Sequence, residues 1–191
     1  MDNKLTDVAG GANMYNGVNV DFVKDRFGNP NSAIRFTDGY YQVPPGVYFN
    51  GDFTISVWIK PINLFNRWGR IIDFGNGAPS DNIQFISSYS DSGKPVFYLY
   101  VMNHESHIDP NSPLIIGQWT HLVFTLSETT GSLYMNGLLI SQTNNMYSAR
   151  NINRTSNYIG KSNWANEGNL WADLDDLRFY NRSMALENSR R

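Results

Sequence analysis

The chain has 191 residues, 14% of them aromatic, no cysteine and a formal net charge of -2. A chain of this size buries roughly 70% of its unfolded surface, enough for a core without staples. The lack of thiols excludes disulfides, thiol catalysis and cysteine zinc sites, and the absence of a basic stripe weighs against nucleic acid as a partner.

The opening, MDNKLTDVAGGANMYNG, lacks the apolar region of a signal peptide, and no stretch approaches the ~18 apolar residues of a membrane span. No direct membrane insertion is expected. The chain reads either as cytosolic or as a piece of a longer secreted protein. Its first 30 or so residues, rich in Gly and Asn, read as irregular loop with room for an edge strand. Period-two runs then recur between turn residues: 32–36, 40–43, 52–61, 69–75, 83–89, 95–101, 119–127, 132–135, 138–142, 157–162 and 170–180. This is the pattern of an antiparallel sandwich rather than of βαβ units. Asn-Gly pairs at Asn16, Asn50, Asn76 and Asn136 suit tight turns with positive φ, and Asn136-Gly137 between SLYM and LLISQ marks the clearest hairpin. One helical turn is expected at 183–188. The fold class is therefore all-β, an antiparallel two-sheet β-sandwich forming one domain with its core at 25–184.

The order NSAIRFTDGYYQVPPG, DFTISVWIKP, GQWTHLVFTLSETTGSLYMNGLLI, YIGKS and LDDLRFYNRSM resembles the laminin G-like, concanavalin A-like jelly-roll superfamily, in particular its pentraxin-like branch, over residues 25–184. Five motifs in the right order and spacing carry the likeness. It implies a non-catalytic module excised from a larger extracellular or cell-surface protein, with a glycan or an extracellular protein as ligand and calcium as a structural cofactor. The end of the chain, NRSMALENSRR, departs from the polar turn and Glu-bearing helix common in the family.

In LDDLRFY, strict alternation puts Asp175 on the face of Leu177 and Phe179, an acid on the core side that needs a partner. Similar domains place this acid beside the N-terminal loop, here KDRFGNPN. One reading is calcium held by Asp25, Asn29 and Asp175, because calcium takes six to eight oxygens from such loops. The other pairs Asp175 with Arg26, Arg35 or backbone N–H groups.

Sugar binding needs exposed aromatics ringed by amides and acids. In PVFYLYV the row Phe97, Leu99 and Val101 reads as buried, leaving Tyr98 and Tyr100 on the other face. Trp68, Tyr147 and Trp164 lie in loops, and Asn163 and Glu167 supply a polar rim beside Trp164. Trp58 and Trp119 read as structural. Asp173 and Asp175 have the i, i+2 spacing a retaining glycosidase could use, but the alternating Glu, Asp and Glu of family 16 glycosidases is absent, so no enzyme is expected. His104 and His107, near Glu105 and Asp109, read as exposed loop residues. Asn153-Arg154-Thr155 and Asn181-Arg182-Ser183 are glycosylation sequons. Two ligand classes stay open: a glycan, or a protein partner of a purely structural laminin G-like domain.

Overall fold

A computed structural model describes residues 5–65 and 68–184. Among them run twelve strands: β1 (Tyr15–Val23), β2 (Ala33–Val43), β3 (Phe53–Pro61), β4 (Arg70–Gly75), β5 (Ile83–Ile86), β6 (Val96–Val101), β7 (His104–Ile108), β8 (Thr120–Ser127), β9 (Thr130–Met135), β10 (Leu138–Thr143), β11 (Ser156–Ile159) and β12 (Leu170–Tyr180). A single 3-10 turn spans Tyr89–Asp91. The helical turn expected at 183–188 falls mostly outside the described residues.

Every strand pairing is antiparallel, and hydrogen bonding follows one path, β10-β9-β8-β3-β12-β2-β11-β4-β5-β6-β7, with β1 added to β2. The expectation of two separate sheets is thereby corrected: one ladder curls nearly into a barrel. The cause lies in β2. Ile34 to Gly39 pair with β12, whereas Tyr41 to Val43 pair with β11, so one strand carries the bonding from one layer to the other. The chain bends there at Asp38, whose φ is 55°. The bend admits no side chain at two glycines: a Cβ on Gly39 would lie 2.2 Å from the Asn19 carbonyl oxygen, and one on Gly160 2.4 Å from that of Gly39.

The two halves of this path face each other across an aromatic core. Phe97 of β6 stacks on Phe124 of β8 with centroids 3.5 Å apart, and Phe53 of β3 lies within 6.1 Å of both. Alternation in β3 drives Phe53, Ile55, Val57 and Ile59 inward, and all four are fully buried. Packing of this kind, at about 1.5–3 kcal/mol per buried large side chain, is the main favourable term in the fold. At Asn136-Gly137 both residues have positive φ, and the turn joins Met135 to Leu138 as expected.

The N-terminal segment supplies the edge strand anticipated there, β1, along β2, and two local readings change. HESHI forms the edge strand β7, which the periodicity does not reveal because only Ser106 and Ile108 of its five residues are buried. In β12 a bulge inserts one residue between the Asp175↔Trp58 and Arg178↔Ser56 pairs, with Asp176 at a φ of 47°. Leu174 before the bulge and Phe179 after it pair with Ile59 and Ile55 and pack on the core, while Asp175 pairs with Trp58 on the outer face. Asp175 is therefore not on the core side: the extra residue resets the alternation that had placed it there.

Candidate functional site

The outer face of β4–β7 holds a cavity of about 150 Å³. Its position follows from the pleat of β6. Phe97 and Leu99 point to the core and are fully buried, so Tyr98 and Tyr100 stand on the opposite side. Register then aligns Gln84 of β5 with Tyr98, and Glu105 of β7 with Tyr100. Two loops complete the walls. Trp68, just before β4, meets Tyr98 edge-on at 6.2 Å, and Trp164, from the β11–β12 loop, lies 5.4 Å from Tyr100. The result is a ring of four aromatic side chains with Arg70, Gln84, Glu105 and Glu167 between them.

Arg70 is the electrostatic centre of this face and is only 3% exposed. Its Nη2 donates to Glu167 at 2.6 Å and its Nη1 to the Trp68 carbonyl at 2.5 Å, so one guanidinium ties both tryptophan-bearing loops to β4. Burial works against its charge, and Glu167 and then Asp73 support it. Nε has no hydrogen-bond partner and lies 4.0 Å from Asp73. Asp73 itself is fully buried and accepts from Asn82, Gln84 and the Asn163 backbone, each at 2.8 Å. A buried carboxylate met by three donors is stable, and here it fixes the Gln84 amide and the start of the Trp164 loop together. Glu167 also accepts from the Ser162 hydroxyl. Burial, reinforced by Glu105, pushes the Tyr98 phenol up to about 12 and the Tyr100 phenol well above its ordinary value. Both remain hydroxyl groups at neutral pH, and that of Tyr100 donates to Glu105 at 3.1 Å.

Of the six residues singled out for ligand binding, the structure gathers Trp68, Tyr98, Tyr100, Trp164 and Glu167 around this one cavity. Asn163 is elsewhere in role: its Oδ1 accepts from Ser156 and its Nδ2 donates to the Ser156 carbonyl, so it props the loop. Tyr147 is 42% exposed and outside the cavity. Sequence reading missed Arg70, Gln84 and Glu105. The available signal was Arg70 and Asp73 standing inside the apolar run GRIIDFG, where unpaired charges are costly.

The residues proposed to hold calcium do not form a cradle. Asp25 turns its oxygens inward on its own loop, accepting from the backbone N–H groups of Phe27 and Asn29 and from the Asn29 amide. Asp175 instead meets Arg26, which also donates to Asp176 at 2.8 Å. Arg26 thus supplies the positive charge beside Asp175, and among the described residues no group of three or more His, Cys, Asp or Glu side chains is placed to hold a metal ion. Burial and then Asp176 hold the Asp175 carboxyl above its usual range despite Arg26. Addition of EDTA is expected to leave the melting temperature unchanged. Asp175→Ala, which leaves Arg26 with Asp176 as its remaining carboxylate partner over Trp58, should destabilise the domain by about 1–3 kcal/mol, read by denaturant unfolding. The other acid considered for catalysis, Asp173, is fully buried and engaged by Arg35 at 2.7 Å and Lys60 at 2.7 Å.

Beside Arg26, Trp58 stacks on His121 at 4.9 Å, and His121 Nε2 contacts the Ser56 hydroxyl at 2.8 Å. Burial, then Arg26 and Arg178, depress the His121 pKa below 6.5. The unfolded chain therefore binds a proton before the folded one does, and stability is lost as pH falls from about 6.5 toward the folded-state value. The melting temperature is expected to decline between pH 7 and pH 5.5, and His121→Gln should flatten that slope.

The fold and site together define an antiparallel β domain carrying an aromatic, acid-rimmed cavity on one outer face. The chain belongs to the Concanavalin A-like lectin/glucanases superfamily, whose sequence profile matches residues 35–188. No curated protein matches it in sequence. Among solved structures, domain 4 of AbnA, a GH43 extracellular arabinanase from Geobacillus stearothermophilus in complex with arabinotriose, superposes with a TM-score of 0.78 at 18% identity, covering 98% of this chain and 92% of that one. The binding domain of Paraclostridial Mosquitocidal Protein 1 gives 0.74 at 19% identity, covering 100% of this chain and 49% of that one. The Botulinum Neurotoxin serotype G binding domain gives 0.65 at 16% identity, covering 97% of this chain and 47% of that one. The chain spans about half of each toxin domain, and identities this low speak to the fold alone.

Proposed function

We propose that the domain is a non-catalytic glycan-binding module and that the Trp68–Trp164 cavity is its sugar site. The observation that carries the reading is the convergence of two loop tryptophans and two strand tyrosines, with Glu105 and Glu167 at the rim, on one outward-facing cavity. Aromatic rings stack on the apolar faces of a sugar, and the carboxylates accept hydrogen bonds from its hydroxyls. The similar arabinanase domain in complex with arabinotriose supports the same reading. Asp173 and Asp175, engaged by Arg35, Lys60 and Arg26, are not free to attack or protonate a glycosidic bond. A place outside the cell or on its surface fits this role, and ligand binding needs no calcium held by Asp25, Asn29 and Asp175.

A glycan array tests the reading. Retention of a defined set of glycans, with and without EDTA, is the expected result, and silence across the array would overturn it. Release of sugar from the bound glycans would overturn the non-catalytic part. One observation favours a protein partner as the second reading: Phe65, Ile115 and Ile116, 71%, 62% and 49% exposed, sit on neighbouring loops joined by the Gly117 N–H to Pro61 carbonyl bond. Under that reading Ile115→Asp, rather than a cavity substitution, would abolish capture of the partner.

A further inference from the structure

Resting on the glycan reading, we infer that the cavity takes a single uncharged sugar residue and discriminates against acidic sugars. Charge is the first ground. The cavity is lined by one cation, Arg70, and two carboxylates, Glu105 and Glu167, and Asp73 lies directly beneath. Arg70 is turned inward: its two terminal nitrogens donate to Glu167 and to the Trp68 carbonyl, its Nε lies against Asp73, and the side chain is buried almost completely. The accessible charges are the carboxylates, with the Glu105 side chain 47% and that of Glu167 20% exposed. A ligand carboxylate or sulfate entering here meets like charge and no exposed guanidinium, whereas a neutral residue offers hydroxyl donors to the same oxygens.

Size is the second ground. About 150 Å³ is well below the ~300–1,000 Å³ of pockets that enclose drug-sized ligands. The two indoles also flank one guanidinium, whose carbon lies 5.8 Å from the Trp68 ring centre and 5.9 Å from that of Trp164. A cavity of that volume, with both indoles near one guanidinium, is matched to one sugar ring, and further residues of a chain extend into solvent.

The test is quenching of tryptophan fluorescence at pH 7.5 by matched trisaccharides, galactotriose against trigalacturonic acid, together with an arabinose, arabinotriose and arabinohexaose series. Trigalacturonic acid should bind roughly tenfold more weakly than whichever neutral trisaccharide binds at low salt, the size expected for a net excess of carboxylates a few ångströms away. That ratio should shrink as salt is raised, and Glu105→Gln should narrow it further. Affinity should change less than threefold from arabinotriose to arabinohexaose. Equal or tighter binding of trigalacturonic acid would overturn the charge selection, and a tenfold gain with the hexaose would overturn the single-residue site, while both leave glycan binding standing. If none of the neutral or acidic sugars binds, in these series or on the array, the glycan reading itself fails.

Discussion

Replacing Arg154 with alanine should lower stability by about 3–5 kcal/mol, because removing a fully buried charged donor leaves its acceptors stranded in the core. Arg154 is the largest side chain with no exposure. Its Nε donates to the Asp81 carbonyl at 3.0 Å, its Nη1 to that of Phe49 at 3.3 Å and its Nη2 to that of Arg150 at 3.5 Å. One side chain thus ties together the loops that hold Phe49, Asp81 and Arg150. Burial depresses its pKa to about 10, still far enough above neutrality for the charge to persist. For a domain of this length 1 kcal/mol corresponds to roughly 2–4 °C, so calorimetry should show a drop on the order of 6–20 °C. Arg154→Lys should recover little of it, since an ammonium group cannot reproduce the planar fork that serves three carbonyls. A fall of less than a degree in Arg154→Ala would mean that these carbonyls are met by water instead.

Trp164→Ala should weaken binding of any array-positive glycan by about thirtyfold or more, the scale of a central aromatic anchor. Trp164 is only partly buried and meets the fold through Tyr100 and Arg70, so far-UV circular dichroism should be unchanged and the melting temperature should fall by no more than a few degrees. Trp68→Ala should act in the same direction, having Tyr98 and Tyr89 as its ring neighbours. Isothermal titration with wild-type and variant protein measures both. Undiminished affinity in Trp164→Ala would move the sugar site away from this cavity.

Much of the candidate face was legible because a strand exposes alternate residues. Once Phe97 and Leu99 are assigned to the core, Tyr98 and Tyr100 must share the other side, and loop tryptophans among Asn and Glu stand out by composition. Arg70 and Asp73 stood out only as charges inside an apolar run, and their partners were not legible. Their burial depends on a loop some 90 residues later in the chain, which supplies Glu167 and the Asn163 N–H group, and periodicity contains no information about such a partner. Asp175 shows a different limit. Arg26 was among the partners considered for it, yet its face was misread, because a period-two pattern cannot register the residue inserted at Asp176. The two-sheet expectation failed for a related reason: the pattern identifies β2 as a strand but not that its ends pair with different neighbours.

That division of β2 has a consequence for how the molecule comes apart. The strand is common property of both layers, bonded to β12 at one end and β11 at the other, so neither layer can fray as a unit without breaking bonds that the other retains. Amide protons of β2 should exchange with solvent only through global opening, more slowly than those of the rim strands β7 and β10, and the polypeptide should lose its order in one all-or-none event rather than sheet by sheet.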